Sequence, residues 1–216
     1  MPGNGVIATP LRLAAALGGH LPGPNAAIGL LGGSFNPPHR AHRDISLQAL
    51  QHLGLDEVWW LVSPQNPLKA VDGMAPLAER LRLARFMVNH PRLRPSALEA
   101  LLGTRRTADS LAALKLRFPA VRFVWLMGAD NMVQVEKWHQ WEQIFNSVPV
   151  AIFDRPSYSL KAMAAKPAKR FAHRRLKEAS SRRLADCGAP AWVFIHGRQN
   201  PLSATHIRAE QLTAPR

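Results

Sequence analysis

Two histidines, His39 and His42, lie three residues apart at the end of the string GGSFNPPHRAH, which spans residues 32–42. On a helix this spacing puts both imidazole rings on the same side. Gly32 and Gly33 have no Cβ, so a ligand can come close to their backbone N–H groups. Imidazole and backbone N–H groups both bind negatively charged oxygen atoms. The string therefore predicts a site for a polyphosphate.

The segments on either side of this string predict the elements that would position it. Residues 26–31 are apolar and predict a short buried strand, and residues 44–53 have apolar side chains at helical spacing. Pro38 is predicted at the first helical position, with both histidines in the first turn. A strand, a glycine turn and a helix in this order direct N–H groups and the positive helix end towards an anion. On its own, the string is also compatible with an ordinary turn that carries two polar surface histidines.

A second candidate anion site lies near the end of the chain, in the string NPLSATHIR over residues 200–208. Ser203 is a suitable N-cap and predicts a helix that starts after it. Arg208 would follow in the first turns, where its guanidinium can bind a phosphate through charge-assisted hydrogen bonds. Without the first string, this pattern is typical of any capped helix.

These two strings resemble the signatures of the nucleotidyltransferase superfamily, His/Thr-x-Gly-His and Ile-Ser-x-Thr-x-Ile-Arg, with Ala41 and Leu202 as departures. Further segments are similar, in the same order, to those of bacterial nicotinate-nucleotide adenylyltransferases. They are SPQNPLK at 63–69, RTADS at 106–110, MGADN at 127–131, KWHQW at 137–141 and the pair Arg155-Pro156. The resemblance covers about residues 30–208, which is most of the chain.

The resemblance implies adenylyl transfer from ATP to nicotinate mononucleotide, with nicotinate adenine dinucleotide and pyrophosphate as products. The phosphate of the mononucleotide would attack the α-phosphorus of ATP without a covalent enzyme intermediate or a general base. Mg²⁺ would arrive on the ATP phosphates, since no carboxylate cluster for it is visible. The implied residues are His39, His42 and Arg208 for catalysis; Gly33, Ser34, Phe35, Gly128, Asp130 and Ser203 for ATP; and Asn66, Lys69, Thr107, Trp138 and Arg155 for the mononucleotide.

Several of these residues keep a second interpretation. Asp130 could bind a ribose hydroxyl or cap a helix, and Thr107 could contact substrate or act as an N-cap. Trp138 is suited to stacking on a pyridine ring and Trp141 to packing in the core, although either indole taken alone is more typical of a core. Segment 63–69 could also be a plain rigid turn. Arg106 stands where the family has tyrosine, so that side-chain contact is not implied.

The composition restricts the cellular context. The chain has 216 residues and a single cysteine, Cys187, which cannot form an internal disulfide and favours a reducing cytoplasm. No apolar run approaches the roughly 20 residues of a membrane-spanning helix. The partners expected are ATP and nicotinate mononucleotide, without a membrane, and a homo-oligomer is compatible with the sequence.

The formal net charge is +14, and residues 161–183 hold nine lysines and arginines with one acid. This segment could be a solvated basic helix, a lid that attracts polyanionic substrates, or an RNA contact. No RNA-binding motif with stacking aromatic residues accompanies it, so a nucleic-acid partner is not expected. Two alternatives stay open: a transferase that acts on phosphopantetheine or a cytidylyl acceptor, and a non-catalytic nucleic-acid-binding protein.

Strand and helix patterns alternate along the chain. Strands are predicted at 26–31, 57–62, 93–98, 121–127, 148–153 and 191–195, and helices at 44–53, 76–89, 107–118 and after Ser203. This order predicts an α/β fold with a Rossmann-like, doubly wound, mainly parallel sheet and helices on both faces. Residues 1–25 are predicted to be a flexible or loosely docked extension. Residues 26–216 are predicted to form one domain with a basic helical insertion at about 157–188.

Overall fold

The computed structural model describes residues 8–64 and 73–197. Within these ranges it contains a seven-stranded sheet, in the order β3-β2-β1-β4-β5-β7-β6, in which every pairing is parallel. The strands are β1 (Ala27–Gly33), β2 (Glu57–Val62), β3 (Leu93–Ser96), β4 (Arg122–Gly128), β5 (Val150–Phe153), β6 (Arg175–Leu176) and β7 (Trp192–Ile195).

Short helices connect these strands. They are α1 (Pro10–Ala16), α2 (Arg40–Leu53), α3 (Leu77–Val88), α4 (Leu98–Leu102), α5 (Thr107–Arg117), α6 (Ala129–Gln134), α7 (Trp141–Ser147), α8 (Ser159–Ala164) and α9 (Lys166–Arg170). In the part of the chain that the structure describes, three 3₁₀ helices span Val135–Lys137, Ala172–Arg174 and Glu178–Asp186. None of the helices described here is long and apolar enough to cross a membrane.

Both faces of the sheet are covered by helices, which confirms the predicted fold class. Alternate residues of β1 enter different cores: Ile28 and Leu30 pack with α1, α5, α6 and α7, whereas Ala27 and Leu31 pack with α2 and α3. A parallel strand that is buried on both faces reads as a continuous apolar run. For this reason the central strands could be predicted from sequence.

The ends of the predicted elements shift by a few residues. Strand β1 continues to Gly33, two residues beyond the predicted end, and α2 begins at Arg40 rather than at residue 44. Strand β3 ends at Ser96 because α4 starts at Leu98. Pro95 is tolerated in β3 because this strand lies at the edge of the sheet.

The N-terminal segment, predicted to be a flexible or loosely docked extension over residues 1–25, packs against the core in its described part. In its described part, Leu13 and Leu17 are 5% and 2% exposed and belong to the core that α5 and β4 also enter. They are four residues apart and so lie on one side of α1. Pro10 takes the first helical position, and Arg117 donates a hydrogen bond of 3.2 Å to the carbonyl oxygen of Ala8. This part of the segment is docked on the sheet.

The segment predicted as a basic helical insertion, residues 157–188, is only partly helical. It contains α8 and α9, two 3₁₀ helices and the edge strand β6. All nine of its lysines and arginines between residues 161 and 183 are exposed. Some of them lie over aromatic rings, as Arg175 does at 5.4 Å from the ring centre of Trp192. This exposure is expected for a solvated basic segment. The roles of a lid for polyanionic substrates and of an RNA contact stay predictions.

Candidate active site

Some of the predicted site residues follow strands that end at the carboxyl edge of the sheet, among them Gly33, Gly128 and Asp130. Gly33 lies beside Val62, and Gly128 lies beside Phe153, so β1, β2, β4 and β5 end at the same edge. Strands β1 and β4 are direct neighbours although β2 and β3 follow β1 in the chain. The connections therefore run in opposite directions from this point, and parallel sheets bind ligands in the crevice that results.

The turn after β1 is held from below by aromatic rings. Phe35 is 1% exposed, its backbone has a φ of +47°, and its ring stacks on Trp60 with the ring centres 4.9 Å apart. A Cβ on Gly32 would lie 2.5 Å from the Trp125 ring, and one on Gly33 would lie 3.3 Å from the Phe35 ring. Gly32 is therefore required by the packing against Trp125 beneath the turn. A ligand that approaches from above would be a second reason for glycine at this position.

The two histidines lie together at the start of α2. Their ring centres are 3.8 Å apart with an angle of 29° between the planes. His39 is the N-cap rather than a residue of the first turn, so Pro38 precedes the helix, and the prediction that it opens the helix is wrong. The His39 backbone N–H donates to Nδ1 of His42 at 3.2 Å. Because Nδ1 accepts, the neutral His42 ring carries its proton on Nε2 and can donate from there.

Buried hydrogen bonds hold the backbone of His42. The indole Nε1 of Trp60 donates to the hydroxyl of Ser46 at 2.7 Å, and that hydroxyl donates to the His42 carbonyl oxygen at 2.8 Å. Ser46 is fully buried. The Phe35 ring centre is 4.6 Å from that of His42. The His42 ring is thus fixed by α2, by β2 and by the turn after β1.

His39 is uncharged near neutral pH. The residue is 4% exposed, and its Nδ1 has no hydrogen-bond partner among the described residues. Burial, with a smaller contribution from the positive charge of Arg155, lowers its pKa from 6.5 to about 4. A buried polar nitrogen without a partner is costly unless a ligand or water reaches it. This ring therefore suits a hydrogen bond to an incoming anion.

The low pKa of His39 gives stability a defined dependence on pH. Between pH 4 and 6.5 the unfolded chain binds a proton at this ring that the folded protein does not. The free energy of unfolding therefore rises with pH over this interval, and the contribution is complete above pH 6.5 and lost towards pH 4. We expect a change of about 3 kcal/mol, since one pKa unit corresponds to about 1.4 kcal/mol.

Urea unfolding across this pH range, with His39→Gln compared to the unmodified protein, measures the effect. The variant should lose most of the pH dependence between pH 4 and 6.5. A matched change at the exposed His173, His173→Gln, should retain it. Parallel curves for the unmodified protein and His39→Gln would contradict the assignment.

Asp130 and Arg155 form a second part of the site, above the end of β4. Nε of Arg155 lies 3.5 Å from Oδ1 of Asp130, and the two side chains are 15% and 33% exposed. A Cβ on Gly128 would collide with the same carboxylate oxygen, so a side chain there would displace the pair. The charge of Arg155 also acts on His39. The structure thus places Arg155, predicted to bind the mononucleotide, next to residues predicted for ATP and for catalysis.

Arg80 is a residue of this region that sequence reasoning missed. The sequence predicts a helix at 76–89 without assigning Arg80 a role, and the structure buries Arg80 on α3 together with Ala84 and Val88. Nη1 of Arg80 donates to the carbonyl oxygen of Ser34 at 2.6 Å, directly behind the turn after β1. The available signal was an arginine on the same helical row as two small apolar residues.

Two other predicted residues lie on elements that follow β3 and β4. Trp138 follows the first 3₁₀ helix and packs, partly buried, against the core. Thr107 is the first residue of α5, and Arg106 takes the N-cap position, so the N-cap prediction for Thr107 is wrong. Trp141 packs edge-on against Phe145 and Phe171, which confirms its core role. Asn66, Lys69, Ser203 and Arg208 lie outside the described residues.

The arrangement is suited to binding and polarising a row of phosphates. It offers a donor at Nε2 of His42, a neutral buried imidazole, a guanidinium and the start of a helix of 14 residues. Within residues 8–64 and 73–197, no group of three His, Cys, Asp or Glu side chains is placed to hold a metal ion.

Comparisons with known proteins agree with this chemistry. A family model described as cytidylyltransferase-like matches residues 30–210. A Bradyrhizobium protein named probable nicotinate-nucleotide adenylyltransferase is 52% identical over 181 residues, covering 84% of this chain and 94% of that protein. A protein of the same name from Cereibacter sphaeroides is 52% identical over 182 residues, covering 84% of this chain and 96% of its own.

Solved structures of Plasmodium falciparum nicotinic acid mononucleotide adenylyltransferase have a similar fold. The complex of that protein with APC has a TM-score of 0.63 at 15% identity, and its complex with NaAD has a TM-score of 0.65 at 16% identity. Each comparison covers 86% of this chain and 83% of the other. At this identity the likeness concerns the fold alone.

Proposed function

Because the chain belongs to the cytidylyltransferase-like family and, within it, to the nicotinate-nucleotide adenylyltransferases, we propose that its stacked histidine pair performs adenylyl transfer from ATP to nicotinate mononucleotide. The products are nicotinate adenine dinucleotide and pyrophosphate. The observation that carries the proposal is the position of His39 and His42. Their ring centres are 3.8 Å apart, and they lie at the N-terminus of α2, beside the switch point of the sheet.

The reaction needs alignment and charge stabilisation rather than a nucleophilic side chain. An oxygen of the mononucleotide phosphate forms a bond to the α-phosphorus of ATP, and the bond from that phosphorus to the bridging oxygen breaks. Pyrophosphate leaves with the electron pair. The attacking phosphate is already ionised near neutral pH, so no base has to remove a proton. The barrier lies in bringing two anions together in line.

His42 is assigned to the α-phosphate and His39 to the neighbouring phosphates. The His39 N–H fixes Nδ1 of His42, which leaves the Nε2 proton as the donor that strengthens as charge builds up. His39 reaches the phosphates as a neutral imidazole, and Arg155 adds a fixed positive charge nearby. Backbone N–H groups of Gly33, Ser34 and Phe35 complete the proposed contacts to ATP, together with Gly128 and Asp130.

The remaining assignments rest on the sequence resemblance. Ser203 and Arg208 would bind the triphosphate from the C-terminal side, and Asn66 and Lys69 would hold the carboxylate and phosphate of the mononucleotide. Thr107 would contribute a hydroxyl, and Trp138 would stack on the pyridine ring. We place the reaction in the cytoplasm, where Cys187 stays reduced.

Mg²⁺ is proposed to enter as the ATP complex. The described residues do not form a carboxylate cage for it, and the Asp130 carboxylate lies against Arg155. The ion would therefore be held by the phosphates themselves, and none of the protein contacts assigned above depends on it.

A panel of acceptors tests the proposed function. The purified protein is incubated with ATP, Mg²⁺ and one of nicotinate mononucleotide, nicotinamide mononucleotide, phosphopantetheine or a cytidylyl acceptor with CTP, and the products are identified by mass. We expect nicotinate adenine dinucleotide as the main product, formed together with pyrophosphate. Preferential reaction of phosphopantetheine or of the cytidylyl acceptor would assign the chain to another branch. Tight, salt-dependent RNA binding without release of pyrophosphate would contradict an enzymatic role.

A further inference from the structure

Arg80 is a buried cation that donates four hydrogen bonds to backbone carbonyl groups of the described residues. The residue is 1% exposed, and burial lowers its pKa from the ordinary arginine value. Besides the bond to Ser34, Nη1 donates to the Ser63 carbonyl oxygen at 2.8 Å. Nε donates to the carbonyl oxygen of Ala75 at 2.8 Å, and Nη2 to that of Pro64 at 3.1 Å. Only a planar guanidinium has donors in enough directions to serve all four.

These carbonyl groups come from three separate stretches of the chain. Ser34 belongs to the turn after β1, Ser63 and Pro64 to the chain that leaves β2, and Ala75 to the approach to α3. One side chain therefore fixes the turn proposed for ATP relative to both sides of the segment that follows β2. Removal of any one stretch would leave a buried donor unpaired, which costs about 1–3 kcal/mol or more for a charged group.

Asn36 makes a second connection between the same stretches. Its Nδ2 donates to the carbonyl oxygen of Gly73 at 2.9 Å, and its Oδ1 accepts from the Ala75 N–H at 3.2 Å. The turn after β1 and the chain before α3 are thus joined by Arg80 from the buried side and by Asn36 from the turn itself.

The bond from Arg80 to Ser34 also affects the chemistry of the turn. The Ser34 carbonyl belongs to the same peptide group as the Phe35 N–H, one of the donors assigned to ATP. A positive donor at 2.6 Å from the carbonyl oxygen polarises that peptide group and strengthens its N–H as a donor. It also places a positive charge behind the proposed phosphate site, where water does not screen it.

We propose that Arg80, together with Asn36, is a positioning residue that orients and polarises the turn after β1. The two residues also couple this turn, which is assigned to ATP, to the chain that leaves β2, which is assigned to the acceptor. The inference rests on the proposed function. The same two side chains hold the turn assigned to ATP and the chain that flanks the segment assigned to the acceptor. The affinity for ATP should therefore depend on whether the acceptor is bound, and the affinity for the acceptor on whether ATP is bound.

The test compares Arg80→Lys and Asn36→Ala with Arg94→Lys. Lysine keeps the charge at position 80 but cannot serve four carbonyl groups. Arg94 is the matched control, since it is part-buried and pairs with Glu57 at 3.0 Å, at the start of β2 and hence at the opposite edge of the sheet. Each protein is measured for thermal unfolding, for kcat, for the KM of nicotinate mononucleotide, and for the KM of ATP at low and at saturating nicotinate mononucleotide.

Arg80→Lys and Asn36→Ala should raise the KM of both substrates, and Arg80→Lys should raise that of ATP about tenfold. In both variants, the KM of ATP at low nicotinate mononucleotide, divided by its KM at saturating nicotinate mononucleotide, should be close to one. Arg94→Lys should lower thermal stability and leave that ratio as in the unmodified protein. Unchanged KM values in Arg80→Lys, with a loss of stability similar to that of Arg94→Lys, would overturn the inference.

If Arg80→Lys does not fold, Asn36→Ala decides alone, because it removes two of the contacts without leaving a buried charge unpaired. An altered KM ratio in that variant supports the inference, and an unaltered ratio overturns it. A failure of the unmodified protein to form the dinucleotide would instead reject the proposed function, so the two failures are distinguishable.

Discussion

Replacing His42 with alanine is expected to lower kcat by about 10²–10³-fold, the usual effect of losing one well-placed donor to a charged transition state. The residue is firmly held at the start of α2. Its ring is held by the Phe35 ring at 4.6 Å and by the His39 N–H at 3.2 Å. The KM of ATP should change less than kcat, because the Nε2 contact is assigned to charge that builds up during the reaction.

Two further variants separate the two nitrogens of the His42 ring. His42→Asn offers an amide oxygen in place of Nδ1, so it can accept from the His39 N–H, but it lacks the outer donor and should be as slow as alanine. His42→Gln offers an amide N–H near the position of Nε2 and should recover part of kcat. His52→Ala, on the last turn of the same helix, is the control and should retain normal activity. Near-normal kcat in His42→Ala, with folding intact, would remove His42 from the mechanism.

Leu17→Ala is expected to lower the free energy of unfolding by about 2–5 kcal/mol, the usual loss for a leucine that is truncated in a packed core. Leu17 is 2% exposed and packs beneath the sheet with Leu13, although it precedes the first strand. Its truncation would leave a cavity that the strands cannot close without moving. Denaturant unfolding of the full chain measures this loss.

The matched control is Leu11→Ala on the same short helix. Leu11 is 81% exposed, so its truncation should change the free energy of unfolding by no more than about 0.5 kcal/mol. Equal, small effects of the two substitutions would show that residues 8–17 are not docked in solution. A large effect of Leu17→Ala alone establishes this segment as part of the core.

Local patterns predicted the central part of the fold and the histidine pair. Strand β1 is an apolar run that is buried on both faces, and the spacing of His39 and His42 depends only on the start of one helix. Their pairing at 3.8 Å follows from that local geometry. The burial of Leu13 and Leu17 could not be predicted, because they become core residues only when α5 and β4 cover them. Their spacing alone does not distinguish a docked helix from a loosely attached one.

Contacts between distant segments could not be predicted. Arg80 is buried because its charge is bonded to carbonyl groups as far away as Ser34, 46 residues earlier. Gly32 must lack a side chain because Trp125, on another strand, lies beneath it. A side chain at Gly128 would displace the pair of Asp130 and Arg155. In each case the sequence gives the residue type but not the distant group that explains it.

The central claim is that the phosphates of ATP lie against both imidazole rings, and ring-nitrogen NMR tests it most directly. The 216-residue chain with ¹⁵N-labelled histidine is titrated with Mg²⁺ and a non-hydrolysable ATP analogue. The ring nitrogens of His39 and His42 should shift together, and the pKa of His39 should rise from about 4 as its unpartnered nitrogen gains an anionic neighbour. His20, which contacts Glu57 at the opposite edge of the sheet, should not move. Saturation with the analogue while both ring signals stay unchanged would contradict the account.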